Sequence, residues 1–528
     1  MNDKNIKILN ILNFPTALTH EMIDEKISRF FFRTGISLRL VESASFKDLI
    51  RSLNPAYGES IPKAKKLSGT LLDQQFTKYS KQLDDLLRTV GFLTLVSDGW
   101  SNVRGDHLVN FCVKAPNEKP LFYTSINTTG IIQNAAAVAD AIINVIETLG
   151  PQKFSCLVTD NANVMRAAWR IIEQKFPHIS TNGCSAHAVN LLIKDIVTLN
   201  DNAKTVKDAE RIIKFCKNHH MVKAKLDDIR TSENITKTLS MPVATRWYSN
   251  FTALNDLKIL KYCLIKLVDN ERQMLVNIAP KSNSVKVINL ISSTDFWNRL
   301  ASLVKVLEFP SNVIGKLEGD DAQLSCVYYY FTQMYQDAQG NEEIQAMIKS
   351  RMEFISTPSI GLSYMLTPKY AAEGIYFDDN KMDIIASVQE FAEKISPLDA
   401  EAVELQFMDF IEDMNKLTDR RRELIFKMSA KTYWNVAGRD KYPALYKIAQ
   451  PIVEMIASSA ISERVWSIFK FIHSRLRNRL TNERVRKLVF IYTNSVLLDN
   501  VDPNDYILDE GAILSSMDCE EVHDDDDA

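Results

Sequence analysis

The stretch Phe92-Leu93-Thr94-Leu95-Val96-Ser97-Asp98-Gly99 is a short apolar run that ends in an aspartate, and it decides how the chain folds. The same arrangement recurs at Phe154-Ser155-Cys156-Leu157-Val158-Thr159-Asp160-Asn161. An apolar run of this length before turn residues predicts a buried β-strand. A carboxylate at the end of such a strand needs a hydrogen bond, an ion pair or a metal ion, because burying an unpaired charge is costly.

The segments around these two runs predict a mixed α/β order. Further strands are predicted over 107–113 and 121–126, and helices over 133–148 and 161–174. From about 187 to 499 the spacing of apolar residues is almost entirely helical, as it is over 1–88. One of these helical faces starts at Phe296 and is predicted to end at Pro310. The chain is therefore predicted to be helix-rich, with a small α/β part.

Length and composition exclude several classes of protein. A chain of 528 residues suggests two to four domains, and 46% apolar with 24% charged residues excludes collagen-like, disordered and disulfide-scaffold chains. No stretch approaches eighteen uncharged apolar residues, so no membrane span is expected. The N-terminus lacks the pattern of a secretory signal, and seven scattered cysteines indicate free thiols in a reducing compartment.

The net charge of −3 is the sum of two unlike parts. Residues 501–528 contain eleven acidic and no basic residues; without them, 63 basic residues face 55 acidic ones, a net charge of +8. A basic body with an acidic tail hints at a nucleic-acid partner, although an ordinary solvated surface explains it equally well. The tail is expected to be disordered and either to reduce non-specific DNA association or to contact a partner.

The two aspartates have two interpretations. If adjacent strands bring Asp98 and Asp160 together, their repulsion favours a divalent cation between them. Carboxylates around a pair of metal ions are the usual apparatus for phosphoryl transfer on nucleic acids. Alternatively, each aspartate caps the turn or helix that follows it, which is natural for Asp160.

Five motifs in a fixed order favour the first interpretation. They are Ser97-Asp98-Gly99-Trp100-Ser101, Thr159-Asp160-Asn161-Ala162, Gly183-Cys184-Ser185-Ala186-His187, Thr245-Arg246-Trp247 and Ala457-Ser458-Ser459-Ala460-Ile461-Ser462-Glu463-Arg464-Val465-Trp466. This succession resembles the hAT transposase superfamily, the group of the hobo and Activator elements, over residues 90–499. The last block resembles the C-terminal dimerisation region of that family.

The resemblance implies an α/β ribonuclease-H-like domain interrupted by a large all-α insertion, plus a helical N-terminal region. The implied parts are a helical N-terminal region at 1–88, the first ribonuclease-H-like part at 89–247, the insertion at 248–440, the C-terminal part with the dimerisation region at 441–499, and an acidic disordered tail at 500–528. The interval of 303 residues between Asp160 and Glu463 leaves room for such an insertion.

In the family, two aspartates and one glutamate bind two Mg²⁺ or Mn²⁺ ions, and by motif these are Asp98, Asp160 and Glu463. The ions would activate water or a DNA 3′-hydroxyl and stabilise the departing oxygen. Glu463 has a simpler interpretation as a first-turn acid favoured by the helix dipole, with Ser462 as the cap.

Cys184 and His187 form a C-x2-H pair that the family places beside its active site, where it orients DNA or the catalytic acids. A zinc site formed with Cys216 and His219 is an alternative, but the 28 residues between the pairs are more than a compact zinc finger uses. A buried thiol at a helix start is the simplest interpretation.

Two further groups are predicted to contact DNA. By resemblance, Trp247 stacks on a flipped base and Arg246 holds a nearby phosphate; a core tryptophan beside a surface arginine is the alternative. Arg475, Arg477 and Arg479 lie in the basic stretch 464–487, which either follows DNA phosphates or is an ordinary solvated helix face.

The resulting hypothesis is a nuclear, metal-dependent cut-and-paste DNA transposase that forms at least a dimer and does not contact membranes. The alternative is a domesticated or decayed derivative that binds DNA or chromatin as a dimer without catalysis. Many family members begin with a zinc-binding BED finger; here no cysteine precedes Cys112, so that finger is not expected, which puts autonomous transposition in doubt. Trp466 also stands where the family more often has phenylalanine.

Overall fold

The computed structural model describes residues 19–499, except 117, 133, 243–247, 279–280, 378–380, 396 and 475–479, and except the side chains of 248, 281 and 282. These residues form two compact units. Among the described residues, the first unit comprises those within 19–132, 147–153 and 461–499, and the second comprises those within 134–146 and 154–460. None of the helices within the described ranges is long and apolar enough to cross a membrane.

Five strands are described, three antiparallel and two parallel. In the first unit, β2 (His107–Lys114) pairs antiparallel with both β1 (Leu93–Ser101) and β3 (Leu121–Asn127). In the second unit, β4 (Phe154–Thr159) pairs in parallel with β5 (Ser180–Gly183).

Helices make up most of the rest of the chain. They are α1 (His20–Thr34), α2 (Ala44–Leu53), α3 (Leu72–Thr89), α4 (Ala135–Leu149), α5 (Asn163–Lys175), α6 (Ser185–Thr198), α7 (Asn200–Asn218), α8 (His220–Ser232), α9 (Tyr248–Ile259), α10 (Lys261–Asn277), α11 (Lys281–Ile291), α12 (Thr294–Leu317), α13 (Leu324–Asp337), α14 (Glu342–Ile355), α15 (Pro358–Met365), α16 (Pro368–Glu373), α17 (Lys381–Ile395), α18 (Ala400–Asn415), α19 (Asp419–Phe426), α20 (Ala430–Tyr433), α21 (Pro443–Val453), α22 (Ala460–Ile472) and α23 (Asn482–Leu498). The prediction of a helix-rich chain with a small mixed β component is confirmed.

In the first unit, α23 packs on the edge strand β3 and on α3. Asn494 of α23 is fully buried and bonds to both backbone groups of Phe122 on β3, as a neighbouring strand would. Its amide Nδ2 donates to the Phe122 carbonyl at 2.7 Å, and its Oδ1 accepts from the Phe122 N–H at 3.0 Å. The end of α23 is fixed by an ion pair between Asp499 and Arg33 of α1. These contacts hold the three-stranded sheet against its helices.

In the second unit, α6 is largely buried by neighbouring helices. It packs against α12 and α14, and most of its residues are buried because apolar side chains occur on several of its faces. Arg351 of α14 pairs with Asp195 of α6 at 2.6 Å. Packing and this ion pair therefore hold the helix in place directly after β5.

The structure corrects three details of the sequence-based prediction. Asp98 lies within β1 rather than after it, because pairing with β2 continues to Ser101. The strand β5 was not predicted, since its residues, Ser-Thr-Asn-Gly, have low strand propensity. Helix α12 continues through Pro310 to Leu317; Pro310 is buried, so packing offsets the lost N–H.

Candidate functional site

Asp98 lies at the partly exposed end of β1, where five buried residues give way to alternating exposed ones. Its register partner on β2 is Asn110, which is fully buried. The strand therefore holds the Asp98 carboxylate at the boundary between the core of the first unit and solvent, a position where it can both be oriented by buried groups and bind a ligand.

The indole of Trp466 orients this carboxylate. Trp466 Nε1 donates a hydrogen bond to Asp98 Oδ2 at 3.1 Å. The ring itself stacks on Trp100, with centroids 5.2 Å apart and an interplanar angle of 29°, and also contacts Phe469 at 5.0 Å. Trp100 lies two residues beyond Asp98 and therefore on the same face of β1. The stacking of Trp466 on Trp100 packs α22 against this end of the strand.

A second bond fixes the start of α22 against β2. Asn110 Nδ2 donates to the carbonyl oxygen of Ser462 at 3.1 Å, in buried surroundings. Glu463, the next residue, is exposed in the first turn of α22, and it lies one turn before Trp466 on the same helix face. The structure thus brings the helix turn that carries Glu463 to the part of the sheet that carries Asp98.

The Cys112 thiol lies in the interior beside this site, and the charged groups around it affect its pKa. Burial raises the pKa of the Cys112 thiol to about 12; the charge on Asp98 also raises it, while Arg464 and a hydrogen bond from Ser462 lower it. The buried Cys112 thiol is therefore held in its neutral form.

The hairpin that ends β1 is tied to α23. Asn102 and Asn482 donate to Asp106 Oδ2 at 2.9 and 3.0 Å, and these two hydrogen bonds lower the pKa of Asp106. The Asn102 side chain also accepts from the N–H groups of Arg104 and Asp106. The turn that follows the Asp98 strand is therefore rigid.

Asp160 and Cys184 lie at the same edge of the second unit. Each directly follows a strand, β4 or β5, and the two strands are parallel, so their carboxyl ends meet. The Cys184 N–H donates to the Thr159 carbonyl at 2.7 Å. Asp160 Oδ1 accepts from the Ala162 N–H at 2.9 Å, which is the capping turn that the simpler interpretation predicted.

Cys184 anchors the segment that leads into α22. Cys184 is 1% exposed, and its thiol accepts hydrogen bonds from the N–H groups of His187 at 3.5 Å and Ser459 at 3.4 Å. The neighbouring Ser185 N–H donates to the Ala457 carbonyl at 3.0 Å. His187, in contrast, is exposed. Within this pair, His187 is the member available to a ligand, and Cys184 holds the chain a few residues before Glu463.

The zinc interpretation of these residues is not supported. Burial raises the pKa of the Cys216 thiol to about 12, which disfavours the thiolate that zinc binds. The ring of His219 is bonded through Nδ1 to the Phe215 carbonyl at 2.8 Å. Within the described ranges, no group of three or more histidine, cysteine, aspartate or glutamate side chains could hold a metal ion as placed.

Several predicted DNA contacts lie outside the described residues: Arg246, Trp247, Arg475, Arg477 and Arg479. Of the rest of the basic stretch, Arg486 pairs with Glu483 at 2.7 Å and Lys487 pairs with Asp73 at 2.7 Å. These two side chains are partly neutralised within the first unit, whereas Lys470 and Arg484 are exposed.

The three predicted acids belong to two units: Asp98 and Glu463 to the first, Asp160 to the second. Their donor type fits Mg²⁺ or Mn²⁺, because both ions prefer carboxylate oxygens. In each aspartate, one oxygen accepts an N–H bond that orients the carboxylate. Metal binding by the three acids together stays a prediction.

Sequence reasoning missed Asn110 and the hydrogen bond of Trp466. The signal for Asn110 was present, since an asparagine inside an otherwise buried strand must have a polar partner. The partner could not be identified, because Ser462 follows 352 residues later.

Comparisons with known proteins connect this chain with transposases. Residues 62–212 match the family model of a domain of unknown function, DUF659, and residues 407–495 match the hAT family C-terminal dimerisation region. A Zea mays protein named "Putative AC transposase" is 23% identical over 450 residues, which cover 76% of this chain and 52% of that protein.

These matches show that the chain is similar to hAT transposases. It spans about half the length of the curated relative that it matches. The match to the dimerisation region supports an oligomer, as the sequence predicted.

Proposed function

We propose that this chain is a DNA transposase that cleaves and joins phosphodiester bonds with two divalent metal ions. The observation that carries the proposal is the pairing of Asp98 with α22: Trp466 bonds to the Asp98 carboxylate, and Asn110 bonds to the carbonyl directly before Glu463. An ordinary first-turn acid would need neither tie. Similarity to hAT transposases supports the chemistry that these residues would perform.

In this proposal, Asp98, Asp160 and Glu463 hold Mg²⁺ or Mn²⁺ on a ribonuclease-H-like scaffold. The ions would polarise the scissile phosphate and lower the pKa of the attacking hydroxyl. The protein groups orient the carboxylates: the Trp466 indole acts on Asp98, and the Ala162 N–H acts on Asp160. Fixed acids of this kind contribute by positioning and by electrostatics, the main terms in phosphoryl transfer.

The proposal extends to the surroundings of the site. DNA is the substrate, the nucleus is the compartment, and the protein works as at least a dimer. His187, which is exposed beside the edge that carries Asp160, is proposed to contact DNA, with Cys184 supporting it from the interior. Arg246, Trp247 and the arginines at 475, 477 and 479 are proposed to hold the DNA backbone and a flipped base.

The test uses the full-length chain, supercoiled plasmid DNA and Mn²⁺. The wild-type protein is expected to convert the plasmid to nicked and linear forms. Asp98→Asn, Asp160→Asn and Glu463→Gln should each lower that rate by at least about a hundredfold while plasmid binding is retained. Glu118→Gln, a change at an exposed acid of the β2–β3 connection, is the matched control and should be neutral.

Two outcomes would contradict the proposal. Nicking that survives all three acid substitutions would come from a contaminant or from other residues. A wild-type dimer that binds plasmid in Mn²⁺ but never nicks it would favour the alternative, a family member that acts by binding DNA without catalysis.

A further inference from the structure

Trp466 has an unusual hydrogen-bond partner. Three other tryptophans donate their indole N–H to neutral acceptors: Trp169 to the Thr159 hydroxyl, Trp297 to the Ile291 carbonyl and Trp434 to the Leu366 carbonyl. Trp466 donates to the carboxylate of Asp98. A buried indole N–H needs an acceptor, but a carboxylate at the edge of the core is a more specific choice than a neighbouring carbonyl.

The ring contacts of Trp466 do not explain a tryptophan at this position. Trp466 is 5% exposed, and its ring packs against Trp100 and Phe469. A phenylalanine could make most of these contacts, since they use the face of the ring. What phenylalanine cannot supply is the N–H that reaches Asp98 Oδ2 at 3.1 Å.

The position of Trp466 on α22 gives this bond a consequence. Glu463 lies one turn earlier on the same helix face, so the bond sets where the Asp98 carboxylate points relative to the turn that carries Glu463. The bond from Asn110 to the Ser462 carbonyl fixes the start of the helix, but it touches neither acid. Trp466 is thus a residue of α22 whose side chain bonds directly to the Asp98 carboxylate.

We propose that Trp466 is a positioning residue for metal binding: its indole N–H holds the Asp98 carboxylate in the orientation in which it ligates a divalent cation. The inference rests on the proposed function, because it takes Asp98 to be a metal ligand. A partner that orients a metal-binding side chain typically changes metal affinity by about 10- to 100-fold when it is removed.

The experiment compares Trp466→Phe with Trp100→Phe in the full-length chain. Each substitution replaces one indole of the stacked pair with the smaller phenyl ring. Of the two, only Trp466→Phe removes the indole hydrogen bond to Asp98. Mn²⁺ affinity is measured from the electron paramagnetic resonance signal of the free ion. We expect the Mn²⁺ dissociation constant to rise about tenfold or more in Trp466→Phe and less than about twofold in Trp100→Phe.

A second measurement follows the indole resonances of protein labelled with ¹⁵N-tryptophan. In the wild type, substoichiometric Mn²⁺ should broaden the Trp466 indole resonance first, because its nitrogen lies against Asp98. Asp98→Ala should shift that resonance and abolish the selective broadening. This measurement does not depend on whether Trp466→Phe folds or on DNA cleavage.

The outcomes separate the two proposals. Mn²⁺ binding with equal affinity in the two tryptophan variants overturns the inference and leaves the proposed function intact. So does Mn²⁺ that broadens every indole resonance except that of Trp466. A wild-type protein that binds no Mn²⁺ overturns the proposed function and this inference together.

Discussion

Replacing Asn494 by alanine tests how the helix α23 is held on the edge of the sheet. The Asn494 amide satisfies both backbone groups of Phe122, at 2.7 and 3.0 Å, in a fully buried position. Without it, a buried N–H and a buried carbonyl lose their partners, and each unpaired group costs about 1–3 kcal/mol. We therefore expect Asn494→Ala to lower the free energy of unfolding of the first unit by about 2–6 kcal/mol.

The assay is hydrogen exchange of the Phe122 amide, followed by mass spectrometry of peptides that cover β3. Since 1.4 kcal/mol corresponds to a factor of ten, loss of the bond to this N–H should speed its exchange by about 5- to 150-fold. Exchange in β4, which belongs to the second unit, serves as the internal reference.

The neighbouring residue gives a matched control. The buried hydroxyl of Thr493 has no hydrogen-bond partner among the residues that the structure describes, so Thr493→Val removes an unsatisfied group and keeps the shape of the side chain. This variant should be neutral or slightly more stable, by up to about 1 kcal/mol. If Asn494→Ala exchanges no faster at Phe122 than Thr493→Val does, the account of this contact is wrong.

Two further predictions concern the strand ends. A Cβ at Gly183 would collide with the buried Asn161 side chain, so Gly183→Ala should cost about 1–3 kcal/mol in urea unfolding, and an unchanged midpoint would contradict this. Hydrogen bonds from Asn102 and Asn482 lower the pKa of Asp106 in the folded protein. The ionised Asp106 therefore stabilises the fold above pH 3.8, its ordinary pKa, and this stabilisation is lost as the pH falls through the lowered pKa. Urea midpoints measured across that range should fall less steeply with acidity in Asp106→Asn, and parallel curves would contradict the assignment.

The local parts of the fold could be predicted from the sequence. The strand at 154–159 has the predicted bounds, because a short apolar run sets them locally. β5 could not be predicted, since its Ser-Thr-Asn-Gly sequence has low propensity and its pairing with β4 defines it. Pro310 was wrong as a helix end for a related reason, because tertiary packing overrides the local signal.

The candidate site was predictable to a smaller extent. The motifs identified Asp98 and Glu463, but the groups that fix them lie far apart in sequence: Asn110 bonds to Ser462, and Trp466 bonds to Asp98. Cys184 is a similar case, since its partner Ser459 follows 275 residues later. Sequence patterns identify such residues by type, whereas their pairing depends on the whole folded chain.

The proposed function requires that Asp98, Asp160 and Glu463 bind the same metal ions, and iron-directed cleavage of the polypeptide tests this requirement most directly. Fe²⁺ takes the place of Mg²⁺, and ascorbate with oxygen then produces radicals that cut the backbone next to the bound ion. The account predicts three groups of cuts, near residues 98, 160 and 463, that excess Mn²⁺ suppresses together and that Glu463→Gln weakens at all three places. Cuts confined to other parts of the chain would contradict the account. So would cuts near only one of the three acids.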